Sequence, residues 1–320
     1  MNFINYLSHP RMQEAGNIAF LLALGLILGG VVIALSHELF DKSKTGVEGS
    51  RLSPKLTGSV LPWAMIFYIV GAGIVFLPLR EQLCQNSFLL RSLVLAGAAL
   101  ILFLLYHFSL TLIKNRFLHL PSALPAVAGA LGAAFFWYLP ETGKAWSRIQ
   151  GELTSNREIF FWWLGRIEIA CFIHFVLNSL SLTALIFMLA NSGEKEQTRK
   201  QSREYYFRAA AYAGKWLLVA IFLQILPLSW QLAGGKPERI LASPSIYWFA
   251  GFVFCALCGW LLLIKITKDG LVNRRATLII TIFFLLSLIF YHFSPLHQVI
   301  TPQSGPAWVS TGRKIPGKSN

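Results

Sequence analysis

Eight stretches of this chain are long and apolar enough to cross a lipid bilayer, and they leave few folds open to it. A hydrocarbon core about 30 Å thick takes ~20 apolar residues per helix. Runs at 16–39, 59–80, 89–113, 120–139, 162–191, 209–233, 243–266 and 271–292 reach or approach that length. Backbone N–H and C=O groups find no water in lipid, so a spanning segment is a helix or part of a closed barrel. The runs lack the period-two alternation of barrel strands. The expected fold is therefore all-α, a polytopic membrane bundle of eight transmembrane helices.

Charge agrees with this. Charged residues make up 13% of the chain, against about 25% in a soluble domain, too few to cover an aqueous surface. The net charge of +14 would raise the question of nucleic acid in a soluble protein. Here the Lys and Arg residues occupy short loops between apolar runs, where they set orientation and meet anionic headgroups. No basic stripe interleaved with aromatics is present, so no nucleic-acid partner is expected. The loops after the first, third, fifth and seventh runs hold the larger share. Clusters such as Lys195, Arg199, Lys200 and Arg203, or Lys265, Lys268, Arg274 and Arg275, hug the run ends. The positive-inside bias then places both termini on the outer side of a bacterial plasma (inner) membrane. The first run lacks a basic n-region and a small-residue cleavage site, and reads as a retained helix.

Eight runs suggest two four-helix repeats: 1–139, 140–292, and an outer-side tail at 293–320. "PWAMIFYIVGAGIVFLPL" and "KWLLVAIFLQILPL" echo each other in a Trp and a terminal Leu-Pro-Leu. Of the cysteines, Cys171, Cys255 and Cys258 lie inside apolar runs. "CALC" has C-x-x-C spacing, but Gly259 stands where c-type haem attachment needs His, so these read as packing thiols. The chain has no H-E-x-x-H, P-loop, G-x-S-x-G or G-x-G-x-x-G motif, and its loops are too short for an aqueous catalytic domain.

Function is therefore sought among polar groups at membrane depth, which are costly and tend to be functional. In the fifth run, "WWLGRIEIACFIHFVLNSLSLTAL", 100° spacing puts Cys171, His174, Asn178 and Ser181 on one face. A neutral imidazole facing the bundle interior is what an axial haem ligand requires; a histidine hydrogen-bonded to a neighbouring helix is the plainer alternative. The tetrapeptide YHFS ends two runs, at 106–109 and 291–294. His292 falls on the same outer side as His174, so the pair could hold one b-type haem. His37, His107 and His119 fall near the inner face, where two could hold a second haem or simply meet headgroups. Trp163, Arg166 and Glu168 open the fifth run; they read as an interfacial belt or as a pocket for a quinone head group.

"FIHFVLNSLSLTALIFMLANSGEKEQTRKQSREYYFRAAAYAGKWLLVAIFLQIL" resembles the helix 5–helix 6 segment of cytochrome bd-type quinol oxidase subunit I. "PRMQEAGNIAFLLALGLILGGVVIAL", with Arg11 and Gln13, is similar to the opening of that family. The resemblance spans roughly the first 235 residues and implies that His174 is the axial ligand of the low-potential b haem. The chain departs from the family where oxygen is reduced. The surroundings of Leu21 carry no histidine, the seventh run has no methionine, and the quinol loop is reduced to "AGGKPERILA". The expectation is a bd-like scaffold without the oxidase centre: a membrane electron-transfer subunit of a respiratory complex. It would exchange electrons between quinone and a c-type cytochrome or other redox partner through b-type haem. The alternatives are a haem-free anchor or assembly subunit, and a transporter.

Overall fold

The computed structural model describes residues 10–40, 52–76, 87–113, 116–149, 167–192, 200–234, 246–269 and 274–293. Among these the secondary structure is helical: α1 (Pro10–Phe40), α2 (Leu52–Phe76), α3 (Ser87–Leu112), α4 (Leu120–Ile149) and α5 (Ile167–Asn191) come first. They are followed by α6 (Lys200–Leu223), α7 (Ile225–Gly234), α8 (Ile246–Asp269) and α9 (Arg274–Phe293). A short 3₁₀ turn, Arg116–His119, leads into α4. Eight segments are long and apolar enough to cross a membrane, with α6 and α7 together forming the sixth crossing, Ala209–Trp230. The chain is an all-α, multi-pass membrane protein.

The second crossing begins earlier than its apolar run, at Leu52 rather than residue 59. Pro54 lies in the first turn of α2, where a missing N–H costs nothing, and the small polar residues Ser53 and Thr57 are fully buried. Helix packing, not hydropathy, sets that boundary.

Chain neighbours pair as antiparallel hairpins, α1 with α2, α3 with α4, α5 with α6, and α8 with α9. α1 also packs on α5 and α4, so it joins the two halves expected from the sequence. Of its span, 72% is buried, against 22–44% for the other seven. A helix apolar on all sides belongs in such a central place. Lipid tails are as apolar as Leu, so helices associate through close packing and small residues. Gly25 and Gly29 of α1 lie against Ser179 and Thr183 of α5, and Gly71 of α2 lies against the backbone of Phe20. Cβ atoms at Gly29 and Gly71 would overlap those neighbours. The peripheral α8–α9 hairpin contacts α6 and α5, and the space between them forms a cleft.

Candidate functional site

One wall of the cleft comes from the sixth crossing, which contains a proline. Pro227 has no N–H, and its ring would collide with the carbonyl of Leu223 in a continuous helix. The sixth crossing is distorted there: α6 stops at Leu223 and α7 restarts at Ile225, with Gln224 in a turn between them, while the Leu228 N–H still reaches the Gln224 carbonyl at 3.2 Å. The Gln224 N–H is shared between the carbonyls of Ala220 and Ile221, both at 3.2 Å. Irregular backbone at membrane depth is tolerated where it is buried in protein or lines a cavity, and Gln224 does line this one.

The Gln224 side chain is buried and its Nε2 donates to Asn178 Oδ1 at 2.9 Å, tying the break to α5. His174, Asn178 and Ser181 of the polar face read from the sequence all line the cleft. Cys171 does not. Tyr291 of the second YHFS tetrapeptide enters from α9, its ring 4.9 Å from that of His174 and 5.5 Å from Phe252. Trp260 closes the wall from α8, stacked on Phe222 at 6.4 Å and 20°. Phe222, Ile225 and Leu257 line the cleft and are themselves more than half exposed. They form a rim facing the hydrocarbon, so the cleft opens sideways into lipid. Two of the lining residues, Trp260 and Gln224, carry a buried polar atom, Nε1 and Oε1, with no hydrogen-bond partner among the described residues.

The cleft encloses about 240 Å³. Pockets for drug-sized ligands run from ~300 to 1,000 Å³, and a tetrapyrrole lies at the large end of that class. A b-type haem on His174 would also meet the Tyr291 ring, and among the described residues no other His and no Met lines the space. The residues as arranged do not fit haem, and no chemical step is routed through it. The side chains of His292 and Glu168, together with Trp163 and Arg166, lie outside the described residues.

His37, His107 and His119 gather at the other end of the bundle. His37 Nδ1 is 3.0 Å from Ser53 Oγ, His107 Nδ1 is 2.8 Å from Thr57 Oγ1, and His119 Nδ1 is 3.0 Å from Ser109 Oγ. Each hydroxyl also lies within hydrogen-bond distance of a backbone carbonyl: Ser53 of Ala34, Thr57 of Ser53 and Pro54, and Ser109 of Tyr106. Either the ring nitrogen or the hydroxyl can be the donor in these pairs, according to the tautomer. Among the described residues no three potential metal ligands converge. Gly29 lies level with Thr183 and α1 runs parallel to α5. At 1.5 Å per residue His37 and His174 are therefore ~25 Å apart along the bundle, at opposite membrane depths.

Sequence reasoning located His174, Asn178 and Ser181 but missed Gln224, Trp260 and the polar partners of His37, His107 and His119. The signal for Gln224 was present: an amide three residues before a proline inside an apolar run. Neither a protein-family model nor a curated protein matches this chain.

Proposed function

We propose that the protein is a quinone-binding membrane subunit of a redox complex, whose partner subunit, a cytochrome or another carrier, supplies or removes the electrons. The observation that carries this reading is the apolar cleft open to lipid, walled by aromatic rings and by residues, Trp260 and Gln224, whose buried Nε1 and Oε1 have no partner among the described residues and would turn to meet a ligand. A quinone reaches its site by diffusing within the bilayer, and its ring suits aromatic walls. The oxidised ring presents carbonyl oxygens that accept from Trp260 Nε1. The quinol presents hydroxyls that donate to Gln224 Oε1. His174 and Asn178 supply further polar contacts beside the ring.

The test is a titration of the purified protein with a short-chain quinone, followed by tryptophan quenching, with a reduced-minus-oxidised spectrum recorded alongside. Removing one hydrogen bond of ~1–1.5 kcal/mol predicts about tenfold weaker binding in both Gln224→Leu and Trp260→Phe. Unchanged affinity in both variants would remove the reading, and a haem spectrum lost in His174→Ala would restore the haem. One observation favours a transporter as second reading: a broken membrane helix lining a cleft is a common substrate site. Liposome flux assays separate the two.

A further inference from the structure

Five exposed cations lie near one depth on three of the helices that line the cleft: Lys215 of α6, Lys265 and Lys268 of α8, and Arg274 and Arg275 of α9. Contacts between the helices fix that depth. Gly259 of α8 lies against Phe283 of α9, and Phe222 of α6 stacks on Trp260 of α8. Lys268 follows Gly259 by nine residues and Arg274 precedes Phe283 by nine, so the two are level. Lys215 precedes Phe222 by seven residues and Lys268 follows Trp260 by eight, which puts both ~10–12 Å from the stacked pair in the same direction. Among the described residues no other group of neighbouring helix ends gathers as many exposed cations. The side chain of Asp269, their acidic neighbour in the chain, lies outside the described residues.

Helical period connects these charges to the mouth of the cleft. Seven residues are nearly two turns, so Lys215 falls on the face of α6 that carries Phe222. Eleven residues are nearly three turns, so Lys268 falls on the face of α8 that carries Leu257. Phe222 and Leu257 belong to the rim that faces hydrocarbon, and Val219 and Leu261, one turn nearer the charges, are also more than half exposed. An apolar strip therefore runs from the cleft mouth, between α6 and α8, to Lys215 and Lys268. Cations at a membrane surface attract anionic headgroups, and Arg matches phosphate through paired N–H groups. Each leaflet holds ~15 Å of hydrocarbon, so an acyl chain anchored at this depth reaches the rim. An acidic protein segment would find the charges, but its backbone would find no partners along the strip.

We propose that this strip binds one anionic phospholipid. Its phosphate meets Lys215, Lys268 and Arg274, and one of its acyl chains lies along Val219, Phe222, Leu257 and Leu261. Lys265 and Arg275 add to the positive potential there. The lipid borders the cleft without filling it, and the site does not depend on the quinone reading.

The experiment is native mass spectrometry of the full chain, released from detergent after incubation with equal amounts of phosphatidylglycerol and phosphatidylcholine of the same chain length. The expected result is a preference of about tenfold or more for retained phosphatidylglycerol. A cation near the surface contributes about fivefold in affinity for anionic lipid, so Lys215→Gln and Lys268→Gln should each reduce the preference by that factor. Arg91→Gln, which removes an exposed cation at the opposite end of the bundle, should leave it unchanged. Equal retention of the two lipids would overturn the proposal. So would a loss in Arg91→Gln as large as in Lys215→Gln, which would mark attraction to net charge alone. Displacement by an equal concentration of short-chain phosphatidylglycerol would overturn it too, since the strip would then contribute nothing. The wild-type preference and the competition keep the test intact if a variant fails to fold.

Discussion

Thr57 holds His107, and the bond illustrates what a single hydroxyl does in a membrane. The hydroxyl lies 3.1 Å from the carbonyls of Ser53 and Pro54 and 2.8 Å from His107 Nδ1. Replacing Thr57 by the near-isosteric Val removes the partner of the ring nitrogen in a place with little water. A buried group left unsatisfied costs about 1–3 kcal/mol. Thr57→Val should therefore lower the midpoint of thermal unfolding in detergent, while Thr57→Ser, which keeps the hydroxyl, should stay close to wild type. The histidine was legible in the sequence, as an imidazole closing an apolar run. Its partner was not, because Thr57 is 50 residues away in the chain and precedes the apolar run first assigned to its helix.

Among the elements, the sixth crossing connects sequence to site most directly. Leu-Pro-Leu reads in the sequence as the end of a run and as one half of a repeat. In the fold, Pro227 lies within the crossing, next to the turn at Gln224, whose side chain bonds Asn178 of α5. Pro227→Ala restores the N–H that a continuous helix needs. The expected outcome is a protein at least as stable to heat as wild type but with quinone binding weakened about tenfold, the effect of one lost hydrogen bond. Thermal unfolding and quenching titrations on the same preparation check both parts. An unaltered affinity would mean that the break does not shape the cleft. Pro62, by contrast, lies inside a continuous α2, so proline in an apolar run does not by itself announce a break.

The whole molecule is organised around α1. Its glycines at 25 and 29 bring its backbone against α5, joining the two halves of the chain. In lipid such a seam rests on contact between close-packed surfaces, since no water is expelled from it. A Leu at position 29 would overlap Thr183 and the Ser179 carbonyl, and overpacking of this kind costs about 1–3 kcal/mol. Gly29→Leu should lower thermal stability, whereas a Leu at the half-exposed Ile18 should not.

The number of crossings and the all-α class were determined by the sequence alone, because backbone groups in lipid must pair within their own segment and ~20 apolar residues span the core. The polar face of the fifth run followed from helical period for the same local reason. Which helix is central, where the cleft opens and which polar atoms meet across it depended on tertiary structure. Those features arise from contacts between helices, such as Gln224 with Asn178 and Ser53 with His37. Hydropathy marks a residue as fit for lipid, but not which neighbour it will face.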